Sequence, residues 1–345
     1  MKKKVLITGG SGYLGEVVVE RFLSAGYRCY VLDINPFSEK LASKVVFHNV
    51  DIRNKDLVDK ACKGVDVIVH CVAQVPLAKN NQLFVSVNYE GTRNILNAAE
   101  NNKCSHFIYV SSSAIYGVPD TNPVNEKTPA RPCEKYGKAK LDGENLALEY
   151  ASRGLNVSVF RPRTILGNGR LGIFQILFEW VYQGKNIPVF DGGKNIYQFV
   201  HSYDLAEAIL LCCKKEVFGV FNVGAENYCS MHETLSGLIN HAKSKSKIKS
   251  MNSSFIIPVM NLFSFLKLSP LGAYHAKLYG KSLYFDVSKI KKTLSWGSKY
   301  SNIEMIQESY DWYIQNRDDV LKGSGKSHHK SAVKQKVLSF LNRFI

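Results

Sequence analysis

A phenol and an amine four residues apart are the side chains in this sequence best suited to chemistry. Tyr136 and Lys140 lie in a helical pattern near residues 134–153, so their spacing places both on one face of the helix. A free tyrosine titrates near pH ~10 and is a poor base at neutral pH, whereas an adjacent ammonium favours the phenolate. The pair therefore predicts a general acid/base that acts on a substrate hydroxyl.

A run of serines could supply the hydroxyl that holds the substrate oxygen. Ser111, Ser112 and Ser113 close a predicted strand, His106–Ser111. In open α/β sheets, ligands bind at the carboxyl ends of the strands. The serines and the acid/base pair are therefore expected to meet at one edge of a sheet.

A glycine-rich turn follows the first predicted strand, Val5–Thr8, and precedes a helical pattern over residues 16–25. Strand, turn and helix in this order are typical of a dinucleotide-binding site, because N–H groups at the start of the helix face the phosphates. The spacing fits both GxGxxG, starting at Gly10, and GxxGxxG, starting at Gly9. The predicted cofactor contacts in the turn are Gly9, Gly12, Tyr13, Leu14 and Gly15.

The second predicted strand, Cys29–Asp33, ends in a carboxylate 18 positions after Gly15. A carboxylate there accepts hydrogen bonds from the adenosine ribose hydroxyls and repels a 2′-phosphate. No arginine follows directly in residues 34–36, so the sequence predicts NAD rather than NADP. After the next two strands, Asp51 and Ile52 are predicted at the adenine edge and Ala73 beneath the cofactor.

Strand-like runs alternate with helical patterns up to residue 161, which predicts a doubly wound parallel sheet, the α/β Rossmann architecture. The further strands are predicted at Val45–Phe47, Val65–His70 and Val157–Arg161, and the further helices near residues 54–62 and 83–101. We expect an NAD-binding domain over 1–164, with the chain returning to its sheet near 199–224. A smaller substrate-binding lobe is expected over 165–198 and 225–320, and a basic linker and amphipathic tail over 321–345. Ser230–Glu233 is expected to open a helix of the lobe with a capping box.

Composition narrows the class of protein. The chain of 345 residues contains eight cysteines without CxxC pairs, which disfavours zinc, or any other metal, and a disulfide framework. This cysteine usage is typical of a reducing cytoplasm. No uncharged apolar stretch reaches 18 residues, so no transmembrane helix is predicted.

The net charge of +16 is concentrated in two stretches, 243–299 and 322–345. No basic motif interleaved with aromatic residues is present, so nucleic acid is not a predicted partner. An anionic substrate or an anionic membrane face would explain the lysines, and so would a merely solvated surface.

Two apolar stretches near the carboxyl terminus have alternative readings. Residues 331–345 repeat apolar side chains at helical spacing among basic ones, which is typical of a helix in a membrane interface. Packing on another subunit, or disorder, is the alternative. Phe255–Leu271 is too interrupted to span a bilayer. It is either a helical lid packed on its own lobe, or a segment that covers a greasy substrate or touches lipid. A cytoplasmic protein is predicted, with the inner membrane face as a further site of contact.

As a set, these motifs resemble the extended short-chain dehydrogenases/reductases of the NAD-dependent epimerase/dehydratase family. The resemblance rests on Thr8–Gly15, Asp51–Arg53, Asn88–Thr92, Ser112–Gly117 and Tyr136–Lys140. It implies that Ser112, with Ser113 as the alternative, is the catalytic serine. It further implies that Tyr136 and Lys140 transfer the proton while hydride passes between a carbinol carbon and the nicotinamide. A homodimer is expected on the same ground.

At several positions this chain has residues that differ from the family pattern, and these differences indicate which reaction and substrate are favoured. Dehydratases of the family carry an Asp-Glu pair where this chain has Ser113 and Ala114, so dehydration is disfavoured. Nucleotide-sugar epimerases have an asparagine at the position of Thr164, and an arginine where this chain has Tyr197 and Gln198. The predicted substrate contacts are therefore Asn88, Ser113, Arg163, Thr164 and Arg170. The two arginines either replace the lost diphosphate contacts or are solvated.

The leading prediction is an NAD-dependent epimerase that transiently oxidises a hydroxyl of a nucleotide-linked or lipid-linked sugar. The Arg161-Pro162 pair and the apolar stretch also resemble 3β-hydroxysteroid dehydrogenases, so an alcohol dehydrogenase or ketoreductase on a lipid-like substrate is the second reading. A third is an NAD-binding sensor without turnover, which would not need a proton-transfer pair.

Overall fold

A computed structural model describes residues 2–74, 85–252 and 280–322 and has a parallel sheet of seven strands at its centre. The strands, numbered along the chain, are β1 (Lys4–Thr8), β2 (Arg28–Asp33), β3 (Val46–Asn49), β4 (Val67–His70), β5 (His106–Val110), β6 (Val157–Pro162), β7 (Thr164–Leu166), β8 (Ile187–Phe190), β9 (Phe199–His201), β10 (Gly219–Val223) and β11 (Ile248–Met251). In the main sheet the order is β10-β6-β5-β4-β1-β2-β3. The predicted doubly wound Rossmann sheet is therefore confirmed.

The α-helices that the structure describes either cover the two faces of this sheet or form a second lobe. They are α1 (Tyr13–Ser24), α2 (Glu39–Ala42), α3 (Lys55–Cys62), α4 (Thr92–Asn101), α5 (Lys135–Ser152), α6 (Ile173–Tyr182), α7 (Ser202–Lys215), α8 (Met231–His241), α9 (Ser288–Leu294), α10 (Asn302–Gln315) and α11 (Arg317–Lys322). A π-helical turn, Ser86–Gly91, leads directly into α4. The predicted single helix near 83–101 is thus a π-turn followed by an α-helix.

The apolar strands are buried on both sides, as their continuous hydrophobic runs predict. Val5 and Ile7 pack in one core with α1 and α7, while Leu6 points into a second core with α3 and α4. This alternation is the two-residue period of a strand. In the parallel register Thr8 lies opposite Leu32 on one side and His70 on the other, so neighbouring strands end at one edge.

A third hydrophobic core lies in the second lobe, where α6, α8 and α10 pack together. Two small parallel sheets, β8 with β11 and β7 with β9, accompany these helices. The capping box at the start of α8 is confirmed: Ser230 Oγ accepts from the Glu233 N–H at 3.2 Å, and the Glu233 carboxylate accepts from the Ser230 N–H at 2.9 Å.

Within the expected return near 199–224, the first strand, β9, does not join the main sheet, so that part of the prediction is wrong. Phe199–His201 pairs with β7, because β10 already occupies the edge of β6 and β7 continues past that sheet. The following helix, α7, does return and packs on α1. Val220–Val223 lies in β10 of the main sheet, as predicted.

Two predicted segments, Phe255–Leu271 and 331–345, lie outside the described residues. Among the helices that the structure describes, none has both the length and the apolar character needed to cross a bilayer. All eight cysteines are described and carry free thiols.

Candidate active site

A cleft of about 740 Å³ runs along the carboxyl ends of the main-sheet strands and into the second lobe. Its lining includes Ser112, Tyr136 and Lys140, so the structure brings the three predicted catalytic side chains together. The predicted cofactor contacts Gly9, Gly12, Tyr13, Leu14, Gly15, Asp33, Asp51, Ile52 and Ala73 line the same cleft. Ser113, Arg163, Thr164 and Arg170 line it as well, and Asn88 does not.

The glycine turn leaves room for backbone only. Gly9 has a φ of +72°, and a Cβ there would lie 2.9 Å from the Val72 nitrogen. A Cβ at Gly15 would lie 2.1 Å from the Gly9 carbonyl oxygen, which accepts a hydrogen bond from the Gly12 N–H at 3.0 Å. Helix α1 therefore begins directly at the cleft, with the positive end of its dipole facing the opening. This arrangement fits the pyrophosphate of a dinucleotide.

Asp33 is the acidic group at the end of β2. Its carboxylate accepts hydrogen bonds from the Ser11 N–H at 3.1 Å and the Asn35 N–H at 2.9 Å. Two backbone donors thus fix its orientation at the cleft. Such a carboxylate fits the two hydroxyls of an adenosine ribose.

Asp33→Asn should weaken NAD binding by about 10-fold to 100-fold, because hydrogen bonds to a charged acceptor are stronger than those to an amide. Removal of the negative charge should also reduce the preference for NAD over NADP. Calorimetric titration of both cofactors checks the two expectations. Asp66→Asn is the matched control, since Asp66 accepts from the Lys4 N–H at the start of β1. Unchanged affinities in Asp33→Asn would exclude a ribose contact.

The cleft contains a local ion pair just after β3, where the sequence predicts the adenine edge. Asp51 accepts from the Arg53 backbone N–H and from its Nε, both at 2.9 Å. The Arg53 guanidinium holds the pKa of the Asp51 carboxyl below its usual range. Because Arg53 is engaged with Asp51, its presence does not favour a 2′-phosphate.

Tyr136 stands at the first turn of α5. The Glu134 side chain caps this helix by accepting from the N–H groups of Tyr136, at 2.6 Å, and Gly137. Burial raises the pKa of the Tyr136 phenol, while a hydrogen bond with the Ser112 side chain and the positive charge of Arg170 act in the opposite direction. Ser112 and Tyr136, which the sequence predicts at one edge of the sheet, therefore lie together in the cleft.

Lys140 lies one turn further along α5 and is buried. Its Nζ donates to the Val110 carbonyl at 2.5 Å and lies 4.4 Å from the centroid of the Tyr109 ring. Burial lowers the pKa of Lys140 to about 8, with Cys71 and Glu144 acting in the opposite direction. The end of β5 thus holds the ammonium close to the serine run.

A buried charge network behind the site was not predicted from the sequence. Glu144 accepts from Ser111 Oγ at 2.6 Å and from Arg161 Nε at 3.0 Å. Arg161 also donates to the Tyr116 hydroxyl at 2.6 Å. The available signal was the spacing: Glu144 follows Tyr136 by eight residues and Lys140 by four, so all three share a helix face. The network ties α5 to the ends of β5 and β6.

The part of the cleft next to Ser113 is built around Arg163. This side chain is only 2% exposed, and its Nη1 donates to Ser113 Oγ at 2.9 Å. Its guanidinium carbon lies 4.6 Å from the centroid of the Tyr197 ring, and the Tyr197 hydroxyl is 2.9 Å from Thr164 Oγ1. The alternative of a solvated side chain is wrong for Arg163. Tyr197 was noted in the sequence only as a departure from the family pattern.

Asn88, predicted as a substrate contact, does not line the cleft and instead binds the backbone of Gln74. Its side chain accepts from the Gln74 N–H at 2.7 Å and donates to the Gln74 carbonyl at 3.2 Å. Because both ends of the amide bind one backbone unit, Asn88 holds the chain that leaves β4. It is a positioning residue for that part of the cleft.

Gln198 lies where the family pattern has an arginine. In this chain its side chain holds two backbone segments together. Its Nε2 donates to the Ala225 carbonyl at 2.6 Å, and its Oε1 accepts from the Phe285 N–H at 2.9 Å. The side chain is fully buried. It therefore does not replace the diphosphate contact.

Comparisons with known proteins agree with this fold and cleft. A profile of the NAD dependent epimerase/dehydratase family matches residues 5–224. Protein y4nG of Sinorhizobium fredii is 45% identical over 342 residues, which cover 98% of this chain and 85% of that protein. UDP-glucose 4-epimerase 2 of Oryza sativa is 26% identical, over 91% of this chain and 82% of its own.

A solved structure gives the same architecture. UDP-glucose 4-epimerase of Thermotoga maritima, crystallised with UDP-glucose, matches with a TM-score of 0.75 at 20% identity, covering 91% of this chain and 99% of that one. The resemblance identified from the sequence motifs is confirmed, and with it the prediction of an enzyme whose cofactor is NAD. The chain belongs to the NAD-dependent epimerase/dehydratase family.

Proposed function

We propose that the protein is a sugar epimerase that transiently oxidises one hydroxyl of a nucleotide-linked or lipid-linked sugar. The observation that carries the proposal is the meeting of Ser112, Tyr136 and Lys140 in one cleft with the glycine turn and Asp33. Its relatives include proteins named UDP-glucose 4-epimerase, which supports a sugar substrate.

In this proposal the chain's own residues move and hold the proton. Tyr136 removes the proton from the sugar hydroxyl, and Ser112 holds the same oxygen in line through its hydroxyl. Lys140, anchored on the Val110 carbonyl, supplies positive charge in the same cleft, which favours the phenolate. The glycine turn and Asp33 hold NAD, which supplies a reversible hydride acceptor. The ketone turns within the cleft, so that its carbon regains hydride on the opposite face while Tyr136 returns the proton to the oxygen, and the sugar leaves with one centre inverted.

Dehydration is a weaker candidate. Ser113 occupies a position where dehydratases of the family have a carboxylic acid, and its hydroxyl accepts from Arg163. Ala114, the next residue, is buried and carries no acid. Neither side chain supplies the acid/base chemistry that loss of water requires.

The proposal includes the domain division expected from the sequence. Residues 1–164, with helix α7 and strand β10 from the return segments near 199–224, would form the NAD-binding domain, and residues 165–198 with 225–320 would bind the sugar. The homodimer, the cytoplasmic location and the membrane contact through 331–345 stay predictions.

The test uses the full-length protein in deuterated water with a panel of nucleotide sugars. We expect interconversion of two epimers without accumulation of NADH and without solvent deuterium at the inverted carbon, because hydride never leaves the cleft. We also expect NAD to remain with the protein through purification. Solvent deuterium at that carbon would contradict transient oxidation. Stoichiometric NADH with rapid cofactor exchange would instead support the dehydrogenase reading.

A further inference from the structure

A row of lysines lies on the surface of the second lobe, along the chain that leads into strand β11. The lysine row consists of Lys245, Lys247 and Lys249, and all three are exposed. Between them, Ser246 is buried and Ile248 is half-buried. This alternation is the two-residue period of an extended chain, which turns every second side chain to one face. Successive lysines of the row are therefore about 7 Å apart along the backbone.

The residues between the lysines anchor this segment to the lobe. Ser246 Oγ donates to the Trp180 carbonyl of α6 at 3.4 Å, and Ile248 packs against the third hydrophobic core. The Ile187 N–H of β8 donates to the Lys247 carbonyl at 2.9 Å. The backbone is thus held from its inner side, and the three lysines point away from the lobe.

Acidic residues are absent from the sequence around the row. Residues 242–252 contain no Asp or Glu, and none occurs between Glu233 and Asp286. Asp311 of α10 lines the same surface pocket as Lys245, but its carboxylate is paired with His241 at 2.8 Å. The segment therefore presents positive charge to whatever lies against it.

Strand β8 connects the lysine row to the cleft. It pairs with β11 in parallel, so Lys249 lies opposite Pro188 and Met251 lies opposite Phe190. Phe190 and its neighbour Val189 line the cleft. The row therefore leads along β11 toward a wall of the cleft.

We propose that the lysine row docks the protein on the anionic face of a lipid bilayer. Lysines near such a surface are attracted to its headgroups, and a line of them on one face can contact the surface together. Nucleic acid is a weaker candidate, because residues 242–252 contain no aromatic side chain on which a base could stack.

Docking bears on the carrier of the sugar. It would bring the wall of the cleft at Phe190 close to lipid headgroups, which favours a lipid-linked sugar over a nucleotide-linked one. This consequence rests on the proposed function, whereas the docking itself does not.

Sedimentation of the full-length protein with vesicles measures the docking. The vesicles contain phosphatidylcholine alone, or phosphatidylcholine with about 30% phosphatidylglycerol. We expect the protein to bind the anionic vesicles, and we expect this binding to weaken as salt is added. Replacement of all three lysines of the row with glutamine should lower the partition coefficient by about 100-fold, because each lysine near an anionic surface contributes about 5-fold.

The matched control removes three exposed lysines from another part of the chain. Lys55, Lys60 and Lys63, on α3 and at its end, are replaced with glutamine. This variant loses the same charge as the row variant, so a contact through the row predicts that it binds the vesicles as the parent does. Circular dichroism should show both variants folded like the parent, since all six side chains are exposed.

Four outcomes would overturn the proposal. The first is a parent that does not bind anionic vesicles, and the second is an equal loss of binding in the two variants. The third is parental binding by the row variant, which would favour residues 331–345 as the membrane contact. The fourth is binding through the row that is tighter to a single-stranded DNA oligonucleotide than to the vesicles. Vesicle binding is measured without turnover, so it can fail while the deuterium test succeeds, and the reverse.

Discussion

Tyr136→Phe should lower kcat by about 10²-fold to 10⁴-fold, the contribution typical of a general acid/base. The substitution removes only the hydroxyl that bonds to Ser112 and lies near the positive charge of Arg170. The ring stays, so the packing of α5 against the cleft is retained. Steady-state kinetics on the epimer pair identified by the deuterium test measures the loss.

The control for this variant lies on the same helix. Tyr150→Phe makes the same chemical change at a hydroxyl that donates to Asn97, and Tyr150 does not line the cleft. The kcat of this control should equal that of the parent enzyme. The amount of NAD bound per protein chain should be the same in both variants as in the parent, since the glycine turn and Asp33 are intact. A Tyr136→Phe enzyme with the parental kcat would exclude the phenol as the proton-transfer group.

Glu144→Gln should destabilise the fold by about 3 to 5 kcal/mol, because it leaves the buried Arg161 guanidinium without a compensating charge. The carboxylate accepts from both Ser111 and Arg161, and Glu144 is only 1% exposed. Chemical denaturation, followed by circular dichroism, gives the free energy of unfolding. The kcat should fall as well, because Ser111 precedes the proposed catalytic serine.

An exposed glutamate on α5 provides the comparison. Glu149 pairs with Arg153 at the surface, and Glu149→Gln should change the free energy of unfolding by less than about 1 kcal/mol. Replacing both Glu144 and Arg161 with leucine should restore part of the stability lost in Glu144→Gln, since no buried charge then lacks a partner. If Glu144→Gln unfolds within 1 kcal/mol of the parent, the network does not stabilise the fold in the way argued.

Local features of the sequence predicted the cofactor half of the protein. The apolar strands and amphipathic helices follow from periods of two and 3.6 residues, which neighbouring residues determine. The glycine turn is local as well, because the φ of Gly9 and the close approach of Gly15 involve residues within one turn. The four-residue spacing of Tyr136 and Lys140 required only a helix, and the helix formed as expected.

The tertiary structure alone decided the surroundings of Arg163 and the buried charge network behind the site. Arg163 meets Ser113 across 50 residues of sequence, and Glu144 meets Arg161 across 17, through the order and register of β5, β6 and α5. The same long-range packing turned Asn88 toward Gln74. Periodicity specifies which face of an element is buried, but not which side chain of another element it meets. For this protein the sequence by itself determined the cofactor and its fold, whereas long-range packing decided which charged side chains meet in and behind the cleft.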